Sequence, residues 1–158
     1  MMLMLAELDP LHQHSGHRWI HFIRVLATNM QGRVDWKGGS KLVGTTASNQ
    51  EIEIDWEEGP SPVQITLQMV GACAIVDVVI GLKEREFTNV WVELNATRAE
   101  TTPRHFTSID MEFHIVGNVP TKLAERIADK AIEKYCSVAE SLRKDIEITN
   151  SVVIHPIE

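Results

Sequence analysis

A run of about 20 mostly apolar residues, from Val63 to Leu82, constrains the fold of this chain more than any other feature. Its length is what a helix needs to span a membrane. However, the run contains Gln64, Gln68 and Asp77, and an Asp near the centre of a span costs about 3 kcal/mol on insertion scales. Residues 59–62 read Gly-Pro-Ser-Pro, and proline is favoured in a first helical turn because its missing N–H has no partner there. We therefore predict a buried core helix and no membrane partner.

Composition and charge narrow the class of protein. The chain has 158 residues, enough for one domain that buries roughly 70% of the surface its unfolded form exposes. The net charge is −7 and Lys and Arg form no cluster, so we expect no nucleic-acid partner. The apolar start at residues 1–5 is too short for a signal peptide. Two cysteines in such a chain suit a reducing compartment, and we expect a cytoplasmic protein.

The order of predicted elements indicates the fold class. Residues with alternating polarity predict strands at 33–37, 41–46, 51–56, 89–98 and 107–116, and a helix with one apolar face is predicted from Val119 to about Lys144. A last strand is predicted from Asp145 to Ile154. Strands that come in runs favour an α+β fold of order βββ-α-ββ-α-β over a doubly wound sheet. We predict antiparallel sheets around a central buried helix.

The first 29 residues differ from the rest of the chain. We interpret them as an N-terminal extension with a short helix candidate at 19–26, and residues 30–158 as the core domain. His17 and His21 are spaced i, i+4, which on a helix can bind a transition metal. Because no third ligand accompanies them, we predict an exposed histidine cluster and no metal site.

Cys73 and Cys136 are the candidate reactive groups. At about 100° per residue, Cys73 shares one helix face with Asp77, and a lone buried carboxylate is costly, so a polar group should meet this face. Cys136 is expected at the flank of the second helix, accessible to a partner thiol. Two interpretations remain: ordinary half-buried cysteines with Asp77 bonded to nearby backbone, or a reactive thiol. A reactive thiol needs a cation, a helix N-terminus or a metal, and a kink at Gly71 would place Cys73 near a helix start.

Four sequence blocks carry a resemblance to a known family. They are Ser-Pro at 61–62, Gly-Ala-Cys-x-x-x-Asp-Val-Val at 71–79, Thr-Pro-Arg-x-Phe-Thr-x-Ile at 102–109 and Glu-Lys-Tyr-Cys-Ser-Val at 133–138. In this order they resemble the OsmC/Ohr superfamily of thiol-dependent hydroperoxide reductases, and in particular its YhfA-like branch. The resemblance extends over residues 30–154. It implies an OsmC-like fold and an intertwined homodimer with its sites at the subunit interface.

The resemblance also implies a chemistry. Cys73 matches the peroxidatic cysteine and Cys136 the resolving cysteine of an organic hydroperoxide reductase that acts in oxidative-stress defence. The thiolate attacks the peroxide, the sulfenic acid condenses with the second thiol, and an external dithiol such as a lipoyl group restores the pair. No resident cofactor is implied.

The chain departs from the better-known members of this family at two positions. Those members hold the thiolate with an arginine before the helix and a glutamate just after its proline. Here residues 49–62 contain no Arg or Lys, and Val63 and Gln64 follow the proline. We expect Arg33 or Arg104 as a substitute, with Gln64 able to orient an arginine but not to supply charge. The alternative is a non-catalytic dimeric protein that binds a small apolar ligand at the dimer interface.

Overall fold

The computed structural model describes residues 30–157 and divides the chain into two compact units between Ile54 and Asp55. The helix candidate at 19–26 and the pair His17 and His21 lie outside the described residues. Each unit is described by itself below.

The first unit contains three predicted strands, all confirmed. β1 is Gly32–Gly38, β2 is Lys41–Thr46 and β3 is Glu51–Asp55, and they form a sheet of order β1-β2-β3 with β1 antiparallel to β2. The turn between β1 and β2 uses Gly38 and Gly39, whose φ angles are 100° and 56°. Side chains rarely adopt these values, so glycine is required at this turn.

The second unit is built around a second sheet. Its elements are α1 Pro62–Gly81, β4 Phe87–Arg98, β5 Phe106–Gly117, α2 Thr121–Lys130, a π-helical turn Ala131–Tyr135, α3 Ser137–Glu140 and β6 Glu147–His155. The sheet has the order β4-β5-β6, with β4 antiparallel to β5. β6 pairs parallel with β5, which departs from the antiparallel pairing we expected. The physical reason is the helical crossover between them, which returns the chain to the end of the sheet where β5 began.

The core lies between α1 and the inner face of this sheet. Ile109, Met111, Phe113 and Ile115 alternate along β5 and are at most 1% exposed. A side chain at Gly71 of α1 would place its Cβ 2.8 Å from Leu94 Cδ1 and 3.1 Å from Val92 Cγ1. The helix therefore approaches β4 closely because residue 71 is glycine, which fixes the position of the neighbouring Cys73.

Among residues 55–157 only one face of α1 is buried, so the second unit covers the predicted core helix on one side. Met69 is 42% exposed, Val76 57% and Ile80 58%. Among the described residues α1 is also the one helix long and apolar enough to cross a membrane, and that length and composition are shared by core helices of soluble proteins. A long apolar face of α1 is left open.

The second predicted helix is interrupted, which corrects the expectation of one helix from residue 119 to about 144. The N–H of Cys136 donates to the carbonyl of Ala131 at 2.8 Å, closing a wider turn, and the ψ of Cys136 is 92°. The extra residue in a π turn rotates the following side chains by about 100°. As a result Tyr135 is 52% exposed, whereas Cys136 is 2% exposed. Cys136 is therefore buried and does not lie at the flank of the helix as expected, although it is still within reach of a second thiol.

Candidate active site

Cys136 lies at the break between the π-helical turn and α3. Its Sγ accepts a hydrogen bond from the N–H of Ala139 at 3.4 Å, as the N-cap of α3, and donates to the carbonyl of Val70 at 3.8 Å. One contact belongs to its own helix and the other to α1. The thiol is thus held between two elements that are distant in sequence.

The structure brings Cys73 and Cys136 together, although 62 residues separate them in the sequence. Cys73 is half-buried and follows Val70 by one turn of α1, and its thiol is close enough to that of Cys136 to change the pKa of Cys136. Burial raises the pKa of the Cys136 thiol, and the hydrogen bond and negative charge of Cys73 raise it further, against an opposing effect of the Ala139 N–H. Cys136 therefore stays protonated at neutral pH, and its one thiol proton is donated to the carbonyl of Val70.

The helix around Cys73 is continuous, so Gly71 does not interrupt it and does not place Cys73 near a helix start. α1 runs unbroken over residues 62–81, and its N-terminus lies about 16 Å before Cys73 at 1.5 Å per residue. The helix dipole acts within its first turn only and does not reach the thiol. Among residues 55–157 no arginine or lysine bonds to Cys73, and the thiol of Cys136 is the group that interacts with it.

Asp77 lies one turn after Cys73 and is half-buried. Burial raises the pKa of its carboxyl group. Among residues 55–157 it has no hydrogen-bond or ion-pair partner, so the second unit does not supply the polar group that we expected against this face. Both side chains border the open apolar face of α1.

Gln64 has a structural role at the start of α1. Its Oε1 accepts a hydrogen bond from the N–H of Ser61 at 2.9 Å, and the Oγ of Ser61 accepts one from the N–H of Gln64 at 3.4 Å. This reciprocal pair is a capping box. It lies about 14 Å along the helix from Cys73, so the structure does not bring Gln64 to the thiols.

The two candidate arginines are engaged elsewhere. The guanidinium of Arg33, on β1 in the first unit, pairs with Asp35 at 2.6 Å. In the second unit, Nε of Arg104 donates to the carbonyl of Ala99 at 3.4 Å. Arg104 also lines a cavity beside the first turns of α1, where Thr66 lies about 10 Å before Cys73 along the helix.

This cavity has a volume of about 320 Å³. Most of its lining surface is apolar, although five of its nine lining residues are polar or charged. Its walls are formed by Val63, Thr66, Phe106, Leu142 and Ile146 together with Arg104, His105, Ser141 and Arg143. A cavity of this kind suits an alkyl or aryl group that carries one polar end.

The sequence did not reveal two groups that hold the Cys136 thiol, the carbonyl of Val70 and the N–H of Ala139. Both belong to the backbone, which leaves no side-chain signal in a sequence. The π turn that brings Cys136 to them also leaves no recognisable pattern in the sequence, because its residues Ala131–Tyr135 fit a regular helix equally well.

Comparison with known proteins identifies the family. The family model described as OsmC-like protein matches residues 55–151. Protein YhfA of Escherichia coli (strain K12) is 37% identical over 128 residues, which cover 77% of this chain and 96% of that protein. A hypothetical protein from Aquifex aeolicus VF5 has a similar structure, with a TM-score of 0.76 and 25% identity over 84% of this chain and 100% of that one. An organic hydroperoxide resistance protein from Elizabethkingia anophelis shares the fold, with a TM-score of 0.62 and 15% identity over 82% of this chain and 98% of that one. The chain belongs to the OsmC-like protein family.

Proposed function

We propose that the protein is a two-cysteine thiol peroxidase that reduces organic hydroperoxides. The observation that carries the proposal is the contact between the half-buried Cys73 and the buried Cys136, whose pKa is raised and which is therefore kept as a thiol. One accessible sulfur beside one protonated sulfur is the arrangement that a peroxidatic and a resolving cysteine need. Membership of a family that includes organic hydroperoxide resistance proteins supports the same chemistry.

The proposed reaction has three balanced steps. The Cys73 thiolate attacks the terminal peroxide oxygen, the O–O bond breaks, and the alkoxide takes a proton and leaves as an alcohol, which gives Cys73 sulfenic acid. The Cys136 thiol then attacks this sulfur, and a disulfide and water form. An external dithiol reduces the disulfide by exchange and is itself oxidised to a cyclic disulfide. A lipoyl group is a dithiol of this kind.

The surroundings of Cys73 favour a substrate with an apolar substituent. The open face of α1 next to Cys73 carries Met69, Val76 and Ile80, and the cavity beside the first turns of the same helix is mostly apolar. We propose that a second copy of the chain covers the open face in a homodimer, which would enclose the site and exclude water from it.

Proteins of this family are generally soluble, and we propose the cytoplasm as the location because thiols stay reduced there.

The test treats the reduced protein with one equivalent of cumene hydroperoxide and maps its peptides under non-reducing conditions. A disulfide between Cys73 and Cys136 should form within seconds and be absent in Cys73→Ser. In Cys136→Ser the oxidation should stop at a sulfenic acid on Cys73, which a 1,3-dione reagent traps. If both thiols of the unmodified protein survive prolonged exposure, the proposal is overturned.

A non-catalytic binding protein is the second candidate function. It is favoured by one observation, that no arginine or lysine among residues 55–157 bonds to Cys73 to stabilise a thiolate. In that case a small apolar ligand such as cumyl alcohol should raise the melting temperature, because it binds the native state alone. The rise should be unchanged in Cys73→Ser, whereas peroxide consumption should be absent in both proteins.

A further inference from the structure

The outer face of the second sheet carries a cluster of side chains that the peroxidase chemistry does not use. Trp91 and Glu93 project from β4, and Glu112 and His114 from β5, where Trp91 pairs with His114 and Glu93 with Glu112. One nitrogen of His114 and one oxygen of each carboxylate lie within 4.8 Å of one another. α1 and the cysteines lie against the inner face of the same sheet, so this outer-face cluster is a separate site.

The ring of His114 is fixed in position. It stacks on the indole of Trp91, with ring centroids 4.7 Å apart and an angle of 4° between the planes. Its Nδ1 lies 2.9 Å from Nε2 of His155, which stacks on the other two rings. A histidine that binds a metal through one nitrogen typically donates the proton of its other nitrogen to a neighbouring acceptor. Nε2 of His155 is placed to accept that proton.

The remaining nitrogen of His114 has no hydrogen-bond partner. Residue 114 is 8% exposed, and its Nε2 is fully buried and unpaired among the described residues. Oε1 of Glu112 lies 3.0 Å from Nε2 but off the direction of a ring N–H, and Oε1 of Glu93 lies 3.7 Å away. When Nδ1 carries the proton donated to His155, the lone pair of Nε2 faces two carboxylate oxygens, and a positive species between them relieves this arrangement.

We propose that the outer-face cluster binds a divalent transition-metal ion of the zinc class through Nε2 of His114 and the carboxylates of Glu93 and Glu112. Bonds of about 2.0–2.2 Å to a tetrahedral ion set its ligand atoms about 3.3 Å apart. The separations of 3.0 Å and 3.7 Å from Nε2 to the two oxygens bracket that value. Imidazole together with carboxylates is a donor set that suits zinc and its neighbours.

Three protein ligands leave one tetrahedral position for a water molecule or another ligand. Glu93 and Glu112 also line a groove of about 380 Å³ on the same face of the sheet. The groove continues past Asn95, Asp110 and Thr149. The open position of the ion would therefore face a polar groove, and the ion would join β4 to β5 across the outer face.

The test uses reduced, chelator-treated full-length protein and zinc chloride. Long-range ¹H–¹⁵N spectra of the imidazole groups should show a shift of Nε2 of His114 on addition of one equivalent of zinc. Isothermal titration should show at least a tenfold loss of affinity at this site in Glu112→Gln and in Glu93→Gln. Glu147→Gln removes an exposed carboxylate of the same sheet and should bind zinc like the unmodified protein.

The spectra distinguish this site from zinc bound by the cysteines or by the histidines of residues 1–29, because only the outer-face cluster contains His114. A zinc titration that leaves the signals of His114 unchanged overturns the proposal. The proposal is also overturned if Glu112→Gln and Glu93→Gln both keep the affinity of the unmodified protein. Either variant replaces an exposed carboxylate, and a circular dichroism spectrum checks that each is folded.

Discussion

The thiol of Cys136 donates a hydrogen bond to the backbone carbonyl of Val70, one turn before Cys73 on α1. This contact joins the broken second helix to the middle of α1 and places the two sulfurs side by side. Because Cys136 is also the N-cap of α3, the break in the helix is what aims its side chain at α1. The disulfide chemistry proposed above depends on that break.

The two thiols should differ in their rate of alkylation. Cys73 is half-buried, whereas Cys136 is 2% exposed and its pKa is raised by burial and by Cys73. Since the thiolate is the reactive form, iodoacetamide at pH 7.5 should modify Cys73 first by at least tenfold, measured by mass spectrometry of the folded protein. In urea the two rates should converge. Faster modification of Cys136 in the folded protein would contradict the structure.

Gly71→Ala should destabilise the second unit. The added Cβ would lie 2.8 Å from Leu94 Cδ1 and 3.1 Å from Val92 Cγ1, and overpacking typically costs about 1–3 kcal/mol. A cost above the lower end of this range outweighs the roughly 1 kcal/mol that alanine gains over glycine inside a helix, and the β-branched Val92 has little freedom to move away. Urea denaturation should show the loss.

A second variant identifies the cause of that loss. Leu94→Val shortens the side chain that the new Cβ would meet. The double variant Gly71→Ala with Leu94→Val should therefore lose less stability than the sum of the two single variants. Strict additivity would mean that the close approach of α1 to β4 is not the reason for glycine at residue 71.

Asp77→Asn should stabilise the protein at neutral pH. Burial raises the pKa of Asp77 above 3.8, so the folded state binds its proton more tightly than the unfolded state does. The stabilisation that comes from this tighter proton binding is complete below pH 3.8. It is lost as the pH rises through the raised pKa of Asp77. The free energy of unfolding of Asp77→Asn should therefore exceed that of the unmodified protein at pH 7, and the difference should vanish towards pH 3.

A matched variant controls for the loss of one negative charge. Glu84→Gln neutralises an exposed carboxylate just after α1, and its free energy of unfolding should stay close to that of the unmodified protein at both pH values. If Asp77→Asn lowers stability at pH 7, then a cation pairs with Asp77 in solution. A partner subunit in the proposed homodimer would be the place to look for that cation.

Arg143→Gln should raise the pKa of Asp145. The hydrogen bond from Arg143 is the main reason why the pKa of this carboxyl lies at about 2, with smaller contributions from other nearby groups including His105. The stabilising effect of the pair is present above pH 3.8 and is lost as the pH falls through about 2. Carboxyl ¹³C titration should show the pKa of Asp145 moving towards 3.8 in Arg143→Gln and staying near 2 in Arg126→Gln.

The local pattern of the sequence was enough to predict most elements of the fold. The apolar run led to α1, alternation led to five strands, a last strand was predicted at residues 145–154, and the order of elements led to the α+β class. These predictions succeed because helix and strand periodicity depend on residues a few positions apart. The pairing of β6 with β5 was missed, since the direction of a strand depends on the crossover and not on the strand itself.

The sequence alone singled out Cys73 and Cys136 as the candidate reactive pair, because both lie in blocks that resemble the OsmC/Ohr superfamily and are visible without coordinates. The tertiary structure decided their environment. It buried Cys136 through a π turn, placed its sulfur against the carbonyl of Val70, and assigned Gln64 to a helix cap. It also gathered Glu93, Glu112 and His114 on one face. Contacts between residues distant in sequence, and bonds to the backbone, arise only when the elements pack, and no local pattern records them.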